Sequence, residues 1–188
     1  MKVVAFNGSP RKDGNTTILI NYVFRELEKE GVKTELVQLS GKKIHGCIAC
    51  YKCFENKDQR CAVKNDFLNK CIEKMIKADG IILGSPVYFA DLTPEIKALI
   101  DRAGFVSMAN GGMYINKVGA AVVAVRRSGA VHTLDSINHF FLGAQMIIIG
   151  RGIGVGRDRG DVEKDEEGVQ AVTLLGKRMA WCLKKLHG

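Results

Sequence analysis

Val118–Val125 (VGAAVVAV) is eight residues long without one polar side chain, and Gly80–Gly84 (GIILG) is a second run of the same kind. A strand with one face in water alternates apolar and polar residues. A strand apolar at every position is covered on both faces, which is the condition of a central strand in a parallel sheet. The remaining chain supplies further strands and the cover. Lys2–Phe6, Lys33–Gln38 and Gln145–Ile149 read as three more strands. Between them run segments of helical period: Asn15–Glu30 with Ile20, Val23 and Leu27 on one face, and Asp66–Lys77 with Phe67, Cys71, Met75 and Ile76. A third opens at Thr93-Pro94 as N-cap and first turn and carries Ile96, Leu99, Ile100 and Ala103; a fourth covers His132–Phe141. The last has the stripe Val169, Val172, Leu175, Met179, Leu183, Leu186. Gly104–Asn116 reads as a loop, and glycine-rich Gly150–Gly160 as a mobile loop or subunit contact.

Strand and helix alternating five times predict an α/β fold, a doubly wound five-stranded parallel sheet of order 2-1-3-4-5. One domain over residues 1–188 accounts for the length. Such a sheet binds ligands outside its carboxyl ends, at the switch point between strands 1 and 3.

The segment placed there is Asn7-Gly8-Ser9-Pro10-Arg11-Lys12-Asp13-Gly14-Asn15-Thr16-Thr17. A strand that breaks into such a turn and then opens a helix aims backbone N–H groups at one point, and the helix N-terminus adds partial positive charge. Ser9, Asn15, Thr16 and Thr17 add side-chain donors and Arg11 a permanent cation. An ordinary turn capped by Asn15 or Thr16 would need fewer donors, so the pattern favours a phosphate site. It lacks the Gly-Lys-Ser/Thr ending of a P-loop and has no G-x-G-x-x-G.

After strand 3 comes Ser85-Pro86-Val87-Tyr88-Phe89-Ala90-Asp91, a rigid apolar segment suited to stacking a flat heteroaromatic ring, unless Tyr88 and Phe89 merely pack on the next helix. After strand 4, Arg126-Arg127-Ser128-Gly129-Ala130 closes the third side.

Four of the six cysteines, Cys47, Cys50, Cys53 and Cys61, fall within a loop insertion at Lys42–Lys64 with the spacing C-x2-C-x2-C-x7-C. Bacterial-type [4Fe–4S] ligation begins with the same C-x2-C-x2-C run. Structural zinc usually takes separated pairs, and free redox-sensitive thiols are the third reading. Cys71 and Cys182 fall on helix-core faces.

No apolar run approaches 18 residues and no signal peptide is evident, so a cytoplasmic protein without a membrane span is expected. The formal net charge of +8 raises nucleic acid as a partner. The basic residues are scattered and often paired with acids, however, and attraction of anionic cofactors or substrates explains the balance as well.

Gly8-Ser9-Pro10-Arg11…Gly14-Asn15-Thr16, Gly84-Ser85-Pro86-Val87-Tyr88 and Lys97-Ala98…Asp101-Arg102 resemble the flavodoxin-like NAD(P)H-dependent FMN reductases. With the cysteine run the chain resembles their iron–sulfur flavoprotein branch, over nearly its whole length. The resemblance implies that Ser9, Arg11, Asn15, Thr16 and Thr17 hold the FMN phosphate. It implies that Pro86, Val87, Tyr88 and Phe89 line the isoalloxazine, with Ser128 and Gly129 near its far edge, and that Cys47, Cys50, Cys53 and Cys61 ligate a [4Fe–4S] cluster. It further implies a homodimer or homotetramer whose flavin sites a neighbouring subunit completes. The expected activity is electron transfer from NAD(P)H or a ferredoxin-like donor to a small-molecule acceptor such as a flavin or quinone. No catalytic acid is assigned, Tyr88 being the candidate donor near the ring. The alternatives are an electron carrier without its own substrate, and a non-enzymatic redox sensor that binds nucleic acid.

Overall fold

The computed structural model describes residues 1–187. Five parallel strands form one sheet of order β2-β1-β3-β4-β5: β1 Lys2–Asn7, β2 Lys33–Gln38, β3 Gly80–Pro86, β4 Val118–Val125 and β5 Ile147–Val155. The helices are α1 Asn15–Lys29, α2 Lys52–Asn56, α3 Leu68–Lys77, α4 Pro94–Ala109, α5 Ala130–Gly143 and α6 Glu166–His187. The flavodoxin-like doubly wound topology is the one expected.

Both faces of the sheet are packed, and single strands show how. In β1, Val3 and Ala5 join the core under α1 and α6, whereas Val4 and Phe6 join the core under α3, α4 and α5. In β4, Val118, Ala120, Val122 and Ala124 face the first layer and Ala121 and Val123 the second. The unbroken apolar runs Val3–Phe6 and Val118–Val125 thus reflect two apolar contacts rather than one.

Two segments depart from the expected pattern. The helix opened by Pro94 does not end before Gly104 but runs to Ala109. Val106 and Ala109 extend the stripe of Leu99 and Ala103, and a Cβ at Gly104 would only touch the edge of Phe140 at 3.7 Å. Residues 150–155 are strand, not loop, and β5 starts at Ile147 rather than Gln145. Gly152 and Gly154 lie where Val172 of α6 and Leu19 of α1 press directly on the backbone; a Cβ at Gly154 would stand 2.7 Å from Leu19 Cδ2. The alternating glycines are a packing device, easily mistaken for loop composition. A register shift between Gly119 and Ala121 accompanies them. On α6, Leu186 is exposed, one turn beyond the last buried leucine, Leu183. No helix among the described residues is long and apolar enough to cross a membrane.

Candidate functional site

A polar knot sets the turn after β1. Asn7, fully buried at the end of the strand, donates from Nδ2 to Thr17 Oγ1 and to Gln38 Oε1, both at 2.8 Å, and accepts from Ser9 N at 2.9 Å. Thr17 Oγ1 donates to Lys12 O at 2.6 Å, and Gln38 Nε2 donates to Ser9 O at 2.5 Å. Thr17 is therefore spent on shaping the turn and does not line the cleft. Asn7 heads the turn segment and Gln38 ends its strand in the sequence, but their bond to each other has no local signature, although a polar residue closing an apolar strand is a signal in itself.

The N-terminus of α1 is open. Its N-cap is Gly14, no side chain caps it, and no acidic residue occupies the first turn. Thr16 is 1% exposed, lines the cleft, and its Oγ1 has no hydrogen-bond partner. A buried hydroxyl without a partner costs about 1–3 kcal/mol. An anion at the helix N-terminus would remove that cost and meet the free first-turn amides.

The structure brings Ser9, Arg11, Asn15 and Thr16 opposite Pro86, Val87 and Tyr88, as the sequence suggested. Ala124 and Arg126 at the end of β4, and Gly156 and Arg157 after β5, complete a cleft of about 160 Å³. Its lining holds three arginines and no carboxylate, which suits a doubly charged phosphate. Arg157 and Gly156 lie in the stretch read as a loop and were missed. Asn15 holds that loop in place, donating to Asp158 O at 2.9 Å and accepting from Gly160 N at 2.8 Å.

The wall after β3 is built by a tight hairpin. Tyr88 and Asp91 exchange both backbone bonds, and the two residues between them, Phe89 (φ 46°) and Ala90 (φ 71°), are left-handed. Val87 N donates to Ala124 O at 2.9 Å. Asp91 Oδ1 accepts from Ser136 Oγ at 2.8 Å, fixing the hairpin to α5. Gly129 (φ 92°) runs directly behind it, where a Cβ would meet Ala90 Cα at 2.9 Å. Neither Ser128 nor Gly129 lines the cleft; Gly129 supports the wall from behind. Phe89 stands fully exposed at the tip and Tyr88 half-exposed.

Cys47, Cys50, Cys53 and Cys61 line one cavity, together with Ile48, Tyr51, Ala62, Val63, Arg102, Phe105 and Val106. Left-handed backbone at Ala49 (φ 50°) and Tyr51 (φ 55°) turns the chain between the first three. Tyr51, Phe54 and Phe105 pack as an aromatic cluster beside them, with centroids about 6 Å apart. Burial pushes the Cys53 thiol up. Asn69 fastens Cys61, accepting from its N–H at 2.8 Å and donating to its carbonyl at 2.9 Å. Arg102, buried with Asp66, reaches Cys61 Sγ with Nη2 at 3.3 Å. Among the described residues no three His, Cys, Asp or Glu side chains converge as one metal ion requires. Four soft thiols around one small, largely apolar cavity nevertheless fit the chemistry of an iron–sulfur cluster, whose ligands would be distributed over several irons. Cys71 belongs elsewhere, its thiol pushed up to about 12 by burial in the core.

A larger hollow, about 400 Å³, lies between α4 and α5 at the amino ends of β4 and β5. It gathers none of the residues to which the sequence reading assigns a cofactor or a metal. Converging donors, not volume, mark the site.

Residues 1–159 match the family model of the NADPH-dependent FMN reductases. An iron–sulfur flavoprotein of Methanocaldococcus jannaschii is 38% identical over 194 residues, covering 98% of each chain. One of Methanosarcina thermophila is 33% identical over 190 residues, all of this chain and 97% of its own. Among solved structures, RosB with bound 8-demethyl-8-formylriboflavin-5′-phosphate superposes with TM-score 0.77 at 16% identity, over 99% of this chain and 80% of that one. An NAD(P)H:quinone oxidoreductase of Methanothermobacter marburgensis superposes with TM-score 0.71 at 14% identity, over 94% and 98%. At such identities the two structures speak for the fold alone. The sequence matches go further: this chain belongs to the NADPH-dependent FMN reductase family, in its iron–sulfur flavoprotein branch.

Proposed function

We propose that this flavin-dependent oxidoreductase binds FMN with its phosphate in the cleft at the α1 N-terminus and its ring against Pro86, Val87 and Tyr88. On this reading it passes electrons from NAD(P)H or a ferredoxin-like donor to a small-molecule acceptor. The observation that carries the reading is the partnerless hydroxyl of Thr16, buried at an uncapped helix N-terminus that borders a cleft lined by three arginines and the hairpin wall. FMN when bound supplies hydride and single-electron chemistry. The chain does the rest. Ser9, Asn15 and Thr16 supply donors, and Arg11, Arg126 and Arg157 supply charge. Pro86 and Val87 keep one side of the cleft apolar, and half-exposed Tyr88 adds a phenol ring to its lining.

The same proposal places a [4Fe–4S] cluster on Cys47, Cys50, Cys53 and Cys61, which would supply one-electron transfer. Support comes from the four thiols sharing one cavity and from the iron–sulfur flavoprotein relatives. A second copy of the chain, in a homodimer or homotetramer, would cover the hairpin tip, because Phe89 is fully exposed there.

A carrier without its own substrate is favoured by one feature. Residues 104–116 lie in α4 and at the amino end of β4, away from the cleft, so that segment forms no cover over the hairpin wall.

An absorbance spectrum and iron assay of anaerobically purified protein test the cofactors. Flavin bands, with about four irons per chain, are expected. Protein that stays colourless when FMN is added defeats the proposal. Oxidation of NADH or NADPH with FMN or a quinone as acceptor separates reductase from carrier, since the carrier turns over neither nicotinamide.

A further inference from the structure

Arg102 is 2% exposed, and the side chain of its partner Asp66 is wholly buried. Nη1 donates to Asp66 and to His45 O at 3.0 Å; Nη2 donates to Val63 O at 3.2 Å and to Cys61 Sγ at 3.3 Å. A buried ion pair is a poor device for stability alone, because apolar residues of the same volume serve as well or better. The arrangement makes sense through what else the guanidinium reaches. His45 and Val63 flank the cysteine segment, so Arg102 ties both its ends to α4. Arg102 is also the one charged side chain lining the cavity of the four thiols, and it points an N–H at one sulfur.

We infer that Arg102 is a positioning residue of the cysteine site, whose N–H···S bond to Cys61 and buried positive charge make a cluster held there easier to reduce. The inference rests on the cluster reading proposed above. Reduction adds one electron, delivered by the external donor, and makes the cluster and its thiolates more negative by one charge; no bond breaks and no proton is needed. A cationic donor fixed beside a sulfur stabilises that more negative state, and hydrogen bonds to the sulfurs are among the levers that set such potentials. Lysine cannot substitute fully. Its single ammonium lacks the planar fork that reaches Asp66, two carbonyls and Cys61 together.

The test uses the whole protein, reconstituted anaerobically with iron, sulfide and FMN. Arg102→Lys, Arg102→Gln and the double variant Arg102→Met with Asp66→Leu are compared with the parent by potentiometric titration, with dithionite as reductant and electron paramagnetic resonance as readout. The double variant removes both charges, so no lone carboxylate is left buried. For Arg102→Gln the equilibrium for adding the electron should fall about tenfold, a midpoint about 59 mV lower for a one-electron couple, and for the double variant, which keeps the net charge but loses the N–H···S bond, it should fall in the same direction by less. FMN content and circular dichroism should stay unchanged. An unshifted midpoint in a neutral variant that keeps its iron overturns the inference. If both neutral variants lose iron, Arg102→Lys decides: a lowered midpoint supports the inference, and an unchanged one overturns it. Loss of iron from all three leaves only the clamping of the loop and overturns the redox role. Parent protein that takes up no iron fails the cluster reading itself, before any variant is compared.

Discussion

Asn15 and Gly160 meet across 145 positions of sequence, the amide oxygen of the first accepting the backbone N–H of the second at 2.8 Å. Because the same side chain donates to Asp158 O, one asparagine joins the first turn of α1 to the loop that carries Gly156 and Arg157. Asn15→Ala should free that loop and weaken FMN binding about tenfold, the equivalent of one to two hydrogen bonds. Asn15→Asp discriminates between roles. It keeps the acceptor for Gly160 but sets a carboxylate oxygen against Asp158 O, so a purely structural asparagine predicts a loss about equal to that with alanine. An anion cleft predicts a worse one, because the new carboxylate faces the phosphate. Fluorescence titration of FMN into apoprotein should rank the proteins parent, then Ala, then Asp.

Ala90 occupies the second position of a two-residue hairpin loop at φ 71°. Such loops, type I′ by their positive φ values, favour Asn-Gly, and this one is Phe-Ala. Left-handed backbone costs an ordinary L-residue about 1–2 kcal/mol. Ala90→Gly should therefore raise stability by up to about 1 kcal/mol after the entropy glycine adds to the unfolded chain, visible as a higher urea midpoint at unchanged slope. Gly129→Ala tests the same wall from behind. A methyl group there is strained by φ 92° and meets Ala90 backbone, so it should destabilise and loosen the hairpin.

Physical determinacy decided what the sequence revealed. Strands such as Val118–Val125 allow one environment only, and the alternation of strand and helix with right-handed crossovers supplied the order and switch point. The turn at Ser9–Thr16 was legible because its donors are contiguous. Arg157 was not, since it joins the cleft through tertiary contact alone, and its neighbours Gly152 and Gly154 carry loop-like composition inside a strand. Glycine has two uses, freedom and closeness, and only the packing of Leu19 and Val172 shows that closeness applies here. Arg102 sat in plain view on the stripe-bearing helix after Pro94. Its link to Cys61 spans 41 positions and has no local signature.

Glu35 on the edge strand β2 lies between Lys2 Nζ, 2.6 Å away, and Lys74. Its hydrogen bond to Lys2, then that to Lys74, holds its carboxyl below the ordinary value of 4.5. A group whose folded pKa is depressed contributes stability above its unfolded pKa, and loses it as pH falls through the folded one. Glu35→Gln should then cost about 1 kcal/mol or less at neutral pH, being partly exposed. The difference from the parent should shrink as pH drops below 4.5 and vanish in stronger acid. Urea unfolding of the two apoproteins across that range measures it. A gap that persists in strong acid would trace the loss to packing instead.

Thr16→Val separates the needs of the apoprotein from those of the ligand. Valine keeps the branched shape and removes a hydroxyl that is buried without a partner. In the apoprotein nothing is lost and a desolvation cost disappears, so thermal stability should hold or rise, by up to about 1–3 kcal/mol. With FMN the sign reverses. A hydrogen bond to a charged acceptor is worth about 1.5–3 kcal/mol, so affinity should fall roughly tenfold to a hundredfold. Thr16→Ser, which restores the hydroxyl, should recover most of the affinity while giving up some packing against Gly84, where a Cβ would stand 3.1 Å from the threonine methyl. Calorimetry of apoprotein and FMN titration of the same preparations give the two signs directly. Parallel losses in both would mean that the hydroxyl serves the turn and not a phosphate.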